Sequence, residues 1–200
     1  MRSAFAVVML LSVTAGLLAQ ERTLREMVQE RNAPIEKRSS GNMPPVSMEQ
    51  LVDEADLIVV GTVGDTTSYV SPDGKDVYTD LVLENVNFVY PASAGVTSRP
   101  GLVPKVVVTQ LGGVVTISGH QVRSTHADLL PLQSGTRALF LLVRSEDRLF
   151  IARRYLGVFA PQANDVRPLA TVEWFAEQYR GKVWEDFVRE VESRAAQRVR

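Results

Sequence analysis

A continuous apolar run, Leu57-Ile58-Val59-Val60-Gly61-Thr62-Val63, constrains the fold of this chain most strongly. Its β-branched residues favour a strand. A run without polar alternation is typical of a strand that is buried on both faces. We therefore predict that this run is a central strand, and that the rest of the fold is arranged around it.

The stretch Val77–Tyr90, which follows the turn signal Ser71-Pro72-Asp73-Gly74, is too long for one flat strand. Its apolar residues also change parity partway along. One extra residue near Glu84-Asn85 would place them all on one face, namely Leu81, Leu83, Val86, Phe88 and Tyr90. The pattern predicts a β-bulge there, and a bulge bends a strand in the way that small barrels require.

Further strands are predicted along the C-terminal half of the chain. Lys105–Leu111 is expected to form a strand, Gly112-Gly113 a tight hairpin turn, and Val114–Ile117 the start of the return strand. Residues 137–143 are expected to form an apolar strand, and residues 149–159 either a pair of strands or one bent strand. Residues 166–169 could add a short edge strand.

Two segments have helical patterns. Ser47 and Gln50 match a capping box, which predicts a short helix that ends near Ala55, before the first strand. The C-terminal segment 171–198 is predicted to be a helix that begins at Thr171 and is interrupted at Gly181. Its apolar stripe is expected to pack against the sheet, and includes Val183, Trp184, Phe187, Val188 and Val191.

The first nineteen residues have the layout of a secretory signal peptide. Arg2 is followed by the apolar core Ala4–Leu11, and Ala19 offers a small residue for cleavage. The chain is therefore predicted to be exported from a bacterial cell to the periplasm or the medium, with no membrane span after cleavage. An uncleaved N-terminal anchor is the alternative.

Residues 20–46 are polar and rich in helix breakers, so we expect a flexible leader or linker, with a docking segment as the alternative. The remaining residues, 47–200, are predicted to form a single domain. The chain contains no cysteine. Disulfides, thiolate metal sites and cysteine nucleophiles are thereby excluded, and the domain has to be held together by its core.

The net charge of the chain is −1, which gives no electrostatic argument for binding nucleic acid or an anionic membrane. No motif for a cofactor is present, and no catalytic residue is predicted. Two histidines and a carboxylate, His120, His126 and Asp128, could form a facial metal site, but their spacing matches no established pattern. Asp73, Asp76 and Asp80 surround a turn and could hold a weakly bound calcium ion, although their spacing is not that of an EF-hand loop.

The order of these segments resembles the OB-like, TIMP-like barrel domains of exported bacterial proteins of unknown role. The resemblance depends on Ala55–Val63, Val86–Tyr90, Val107–Gly113, Leu130–Gly135 and Ala138–Leu142, and covers roughly residues 53–169. It implies a mainly β (α+β) fold, a closed or partly open antiparallel barrel of five to six strands. Metalloprotease inhibition is not implied, because the inhibitors use an N-terminal cysteine.

The fold and the lack of catalytic motifs favour an exported, non-enzymatic binding module. Its partner would be another protein or an extracellular ligand, bound by the loops 66–76, 91–104 and 119–135. Candidate binding residues in these loops are Asp73, Lys75, Arg99, His120, Arg123 and His126. The alternatives are a metal-dependent hydrolase centred on His120, His126 and Asp128, and a scaffold of an envelope assembly.

Overall fold

The computed structural model describes residues 22–39, 43–90 and 105–198, and these residues form a mainly β fold. The predicted fold class is confirmed at this level. The described residues contain two sheets and four helices, α1 (Leu24–Arg31), α2 (Met48–Glu54), α3 (Glu173–Glu177) and α4 (Trp184–Gln197). The predicted signal peptide (1–19), the loop 91–104 and its Arg99 lie outside the described residues.

Seven strands form the larger sheet. In chain order they are β2 (Leu57–Val70), β3 (Val77–Tyr90), β4 (Val106–Leu111), β7 (Arg137–Ser145), β8 (Arg148–Ile151), β9 (Val158–Gln162) and β10 (Asp165–Pro168). The smaller sheet has the order β1-β6-β5, with β1 (Ile35–Ser39), β5 (Gly113–Ile117) and β6 (His120–His126). The described residues contain ten strands in all, whereas the prediction of five to six strands refers to the barrel alone.

Five strands of the larger sheet close into a ring. Their order is β7-β2-β3-β4-β8, and β8 also pairs with β7. All of these pairings are antiparallel except that of β4 with β8, which is parallel and joins Thr109 to Phe150. Strands β9 and β10 continue the sheet outward from β7.

Strand β2 is buried on both faces, as predicted from its sequence. Leu57 and Val59 face an inner core within the ring, together with Leu81, Leu83, Val108 and Phe140. Ile58 and Val60 belong to an outer core beneath the helices, with Leu51, Phe159, Phe175, Phe187 and Val191. The alternation of strand side chains distributes a continuous apolar run between these two cores.

The predicted bulge in β3 is also confirmed. Asn85 has φ +50, and the pairing of β2 with β3 shifts between Val60 and Thr62. Val86 and Phe88 consequently pack against the same inner core as Leu81 and Leu83. Tyr90 does not follow them: it packs against the outer core, because a further shift separates Ile58 from Val59.

The hairpin prediction at Gly112-Gly113 is wrong. Strands β4 and β5 lie in different sheets, and the two glycines join them. The hairpin instead connects β5 to β6 through Ser118 and Gly119, both with positive φ (+50 and +82), as in a type I′ turn. Residues 120–126, part of the predicted binding loop 119–135, instead form β6.

The prediction of a flexible leader is wrong for residues 23–39. A capping box of Thr23 and Glu26 begins α1, and β1 pairs in parallel with β6. Leu24, Val28 and Ile35 are buried in a small N-terminal cluster with Val77, Ile117 and Val122. This segment is thus part of the folded unit.

The predicted C-terminal helix is divided in two. Gly181 has φ +72 and separates α3 from α4, and the N-cap of α3 is Val172 rather than Thr171. The predicted short helix before the first strand is confirmed as α2, with its capping box of Ser47 and Gln50. Arg198, after α4, donates hydrogen bonds to the carbonyls of Val52 and Ala55, and α4 therefore closes over α2.

Among the described residues, no helix combines the length and apolar character that a bilayer crossing requires.

Candidate functional site

A cleft of about 400 Å³ opens at one end of the ring, where the smaller sheet lies beside it. We call it the mouth cleft. Five chain segments line it: residues of β2 and β3 (Thr66, Ser68, Thr79, Leu81), the β4–β5 junction (Gln110–Val114), β6 (Arg123–His126) and the loop after β6 (Leu129, Pro131, Leu132). Its size falls within the range of small-molecule sites, about 300–1,000 Å³.

The strands β2 and β3 position one wall of the cleft. Beyond a third shift in their pairing, between Val63 and Thr66, Thr66 pairs with Leu81 and Ser68 with Thr79. Leu81 belongs to the inner core. The wall therefore changes along the strands from the apolar interior of the ring to a rim of hydroxyl groups.

The Gly112-Gly113 junction forms the second wall. The Thr79 hydroxyl donates to the Gly112 carbonyl at 2.6 Å and lies 2.8 Å from the Ser68 hydroxyl. A Cβ on Gly113 would lie 2.2 Å from Thr79 Oγ1 and 2.5 Å from Ser68 Oγ. Only glycine allows the backbone to approach these hydroxyls so closely, and this contact connects the smaller sheet to the ring.

His126 contributes a buried polar group to the lining. The backbone N–H of Asp128 points to His126 Nδ1 at 3.4 Å, which assigns the proton of a neutral ring to Nε2. Nε2 is buried and has no hydrogen-bond partner among the described residues, and the same holds for Gln110 Oε1. Two residues of the lining thus each carry a buried polar atom without a partner among the described residues, although such atoms are rare in folded proteins.

The imidazole of His126 is held in a setting that disfavours its charged form. Burial lowers the pKa of His126, the Asp128 carboxylate opposes this shift, and the Arg154 guanidinium adds to it. The ring of His126 also packs against that of Tyr155, with 4.4 Å between centroids. His126 is therefore a neutral hydrogen-bond donor at neutral pH.

Arg123 supplies the charge of the mouth cleft. It is exposed, and its guanidinium forms neither an ion pair nor a hydrogen bond with another described residue. Glu36, which lies opposite Arg123 on β1, is paired with Arg38, and none of the described lining residues is a carboxylate. The described lining thus has hydroxyls, one amide and apolar side chains around a single guanidinium.

The structure does not bring the proposed metal ligands together. His120 and His126 begin and end β6, six residues apart, which corresponds to about 20 Å at ~3.3 Å per residue. His120 Nε2 lies 3.1 Å from Asn32 Oδ1, while His126 lines the mouth cleft. No group of three metal-ligating side chains occurs within the described ranges. The site predicted around His120, His126 and Asp128 is wrong in its geometry.

Asp73 and Lys75 lie elsewhere, in an open surface depression of about 660 Å³ beside α1. Asp73 accepts hydrogen bonds from the Ser71 hydroxyl (2.6 Å) and the Lys75 N–H (3.1 Å), which lower its pKa. Asp76 pairs with Lys37, and Asp80 accepts from the hydroxyls of Tyr69 and Thr109. These carboxylates therefore have separate structural partners and do not converge as the calcium hypothesis requires.

Of the predicted binding residues, Arg123 and His126 line the mouth cleft, whereas Asp73, Lys75 and His120 do not. Thr66 and Ser68 belong to the predicted binding loop 66–76, although residues 66–70 are part of β2, whereas Thr79 and Gln110 were not predicted. The alternation of Thr66 and Ser68 at the end of an apolar strand indicates that their hydroxyls share a face, since residues two apart do so.

Comparison with known proteins gives no assignment. No protein-family model matches this chain, and no curated protein matches it.

Proposed function

We propose that this protein is an exported, non-enzymatic binding module, and that the mouth cleft is its ligand site. In this proposal the ring is an OB-like barrel of the kind that the sequence resembles. The five-stranded ring, with its one parallel contact between β4 and β8, supports that assignment. Export is supported by the sequence pattern of residues 1–19.

The observation that carries the proposal is the composition of the cleft. It combines an apolar floor from Leu81 and Leu132 with a polar rim, and two of its lining residues, Gln110 and His126, each carry a buried polar atom without a partner among the described residues. Leaving a buried polar group unpaired costs about 1–3 kcal/mol, so such groups commonly mark functional sites. Mouths of β-barrels are frequent ligand sites. A ligand there would be an extracellular small molecule, or a segment presented by a protein partner.

Catalysis is not part of the proposal. A hydrolase needs a nucleophile beside a base. The hydroxyls of Ser68 and Thr79 bond to each other and to a backbone carbonyl rather than to His126. The geometry of His120 and His126 likewise does not support the metal-dependent alternative.

A cleft-blocking variant with a neighbouring control tests the proposal. Thr66 is exposed on β2 and lines the cleft; Thr67 is equally exposed on the same strand but does not line it. Tryptophan is well tolerated in strands, so both variants should fold. A ligand-observed NMR screen of small molecules and short peptides would be run on the wild type, Thr66→Trp and Thr67→Trp.

We expect the screen to find compounds that bind the wild type and Thr67→Trp but do not bind Thr66→Trp. A wild type that binds nothing across the screen would overturn the proposal. So would compounds that bind all three proteins equally, because their site would then lie outside the mouth cleft.

A further inference from the structure

The size of the mouth cleft sets the size of its ligand. About 400 Å³ lies at the small end of the range for small-molecule sites. Five separate segments line this volume, which is partly open to solvent. It therefore suits a compact organic molecule better than a polymer.

The charges of the lining determine the sign of the charge that a ligand should carry. Among the described lining residues, Arg123 alone is charged at neutral pH, since burial keeps His126 neutral. Because no carboxylate of these residues pairs with it, the Arg123 guanidinium can pair with an anion. Guanidinium groups bind carboxylates with two parallel hydrogen bonds, which adds geometric specificity to the attraction.

The other lining residues determine the chemical character of the rest of the ligand, beyond its anionic group. Leu111 and Leu129 are half-buried and Val114 is 37% exposed, so all three offer apolar surface to a bound molecule. They flank the same space as Arg123. An apolar body against these side chains gains from leaving water, at about 25 cal/mol per Å² buried.

We propose that the mouth cleft takes a small amphiphilic carboxylate, with its carboxylate at Arg123 and its apolar body against Leu111, Val114 and Leu129. This inference rests on the proposed function and adds the ligand class to it.

Octanoate is the probe, with octanamide as its uncharged counterpart of equal length. Titration calorimetry would measure both ligands against the wild type, and NMR would confirm one site per molecule. We expect octanoate to bind more tightly than octanamide by about fivefold or more, the gain of a charge-assisted over a neutral hydrogen bond at an accessible site. Raising the salt concentration should reduce this difference.

Substitutions of two arginines test whether the ligand's carboxylate binds at Arg123. Arg123→Gln should weaken octanoate binding about fivefold and leave octanamide binding unchanged, and Arg123→Lys should restore part of the affinity. Arg167→Gln is the matched control, because Arg167 is exposed on the edge strand β10, outside the cleft. Thr66→Trp should abolish binding of both probes.

The inference is overturned if octanoate does not bind, if octanamide binds as tightly, or if Arg123→Gln leaves octanoate affinity unchanged. These failures differ from failure of the proposed function. If neutral compounds or peptides bind the wild type and do not bind Thr66→Trp, the cleft is a binding site, but its ligand is not a carboxylate.

Discussion

At the scale of single residues, Gly113 has the most specific role. It joins the ring to the smaller sheet, and its neighbours leave no room for a Cβ. Gly113→Ala should lower the free energy of unfolding by about 2–5 kcal/mol, since it combines a steric clash with strain at φ +141. Urea denaturation monitored by circular dichroism would measure the loss.

Gly119 provides the control for this substitution. It also has positive φ (+82), but no atom of the described residues lies within 4 Å of the position that a Cβ would take there. Gly119→Ala should therefore cost only the backbone strain, about 1–2 kcal/mol. Equal losses for the two variants would contradict the close packing of Gly113 against Ser68 and Thr79.

His126 makes stability depend on pH. Because burial lowers its pKa in the folded state, the unfolded chain binds the proton more readily below its ordinary pKa of about 6.5. Stability should therefore fall as the pH drops below that value, and the loss should level off below the folded-state pKa. Urea midpoints between pH 7.5 and 5 would show the decline.

Replacing the imidazole of His126 separates its contribution from the loss of stability that other groups cause at low pH. His126→Phe keeps an aromatic ring beside Tyr155 and removes the titrating group, so it should flatten the profile. His120→Phe should leave the profile in place, because His120 lies at the far end of β6. A wild-type profile that His126→Phe does not change would show that another group is responsible.

At the scale of elements, α1 shows what local composition fails to reveal. Leu24 is fully buried in the N-terminal cluster although the segment around it is polar. Leu24→Ala should lower the free energy of unfolding by about 2–5 kcal/mol. The exposed neighbour Arg25 is the control, and Arg25→Ala should change stability by less than about 0.5 kcal/mol.

Chemical denaturation of the two variants would compare their free energies of unfolding. If Leu24→Ala has no larger effect than Arg25→Ala, the segment 23–39 is not part of the cooperative fold, and the flexible leader predicted from sequence would be restored.

The sequence predicted those elements whose signal is contained within the element. The β2 run indicated burial on both faces, the change of parity in β3 indicated the bulge at Asn85, and Ser47 with Gln50 indicated the start of α2. Each of these patterns reflects which side chains face a core. Thr23 and Glu26 carry the same capping signal as α2, but the polar residues that follow outweighed it.

Elements that depend on distant partners were not predictable in this way. Gly112-Gly113 has the local composition of a turn, yet the glycine at position 113 is required by Ser68 and Thr79, more than thirty residues earlier in the chain. Strand β1 is stabilised by pairing with β6, and the strands β2 to β5 lie between these two strands in the chain. The mouth cleft was predicted only in part for the same reason: the proposed binding loops 66–76 and 119–135 contribute to its lining, but Thr79, Leu81 and the β4–β5 junction come from other parts of the chain.

At the scale of the whole molecule, the helices and the smaller sheet cover different parts of the ring. Helices α2, α3 and α4 pack over its outer core, while β5 and β6 adjoin its mouth. This arrangement leaves one end of the ring lined by polar groups. The ligand site is thus a consequence of how the ring is closed and covered, and both proposals depend on that closure.

The contact between β4 and β8 closes the ring, and it consists of one pair, Thr109 with Phe150. The most direct test is NMR measurement of nuclear Overhauser effects between the backbone protons of these two residues in isotope-labelled protein. Paired strands lie about 4.8 Å apart, so these effects should be observed together with those joining Phe150 to Val143 of β7. Effects from Phe150 to β7 alone, with none to Thr109, would mean that the ring is open and would contradict the account.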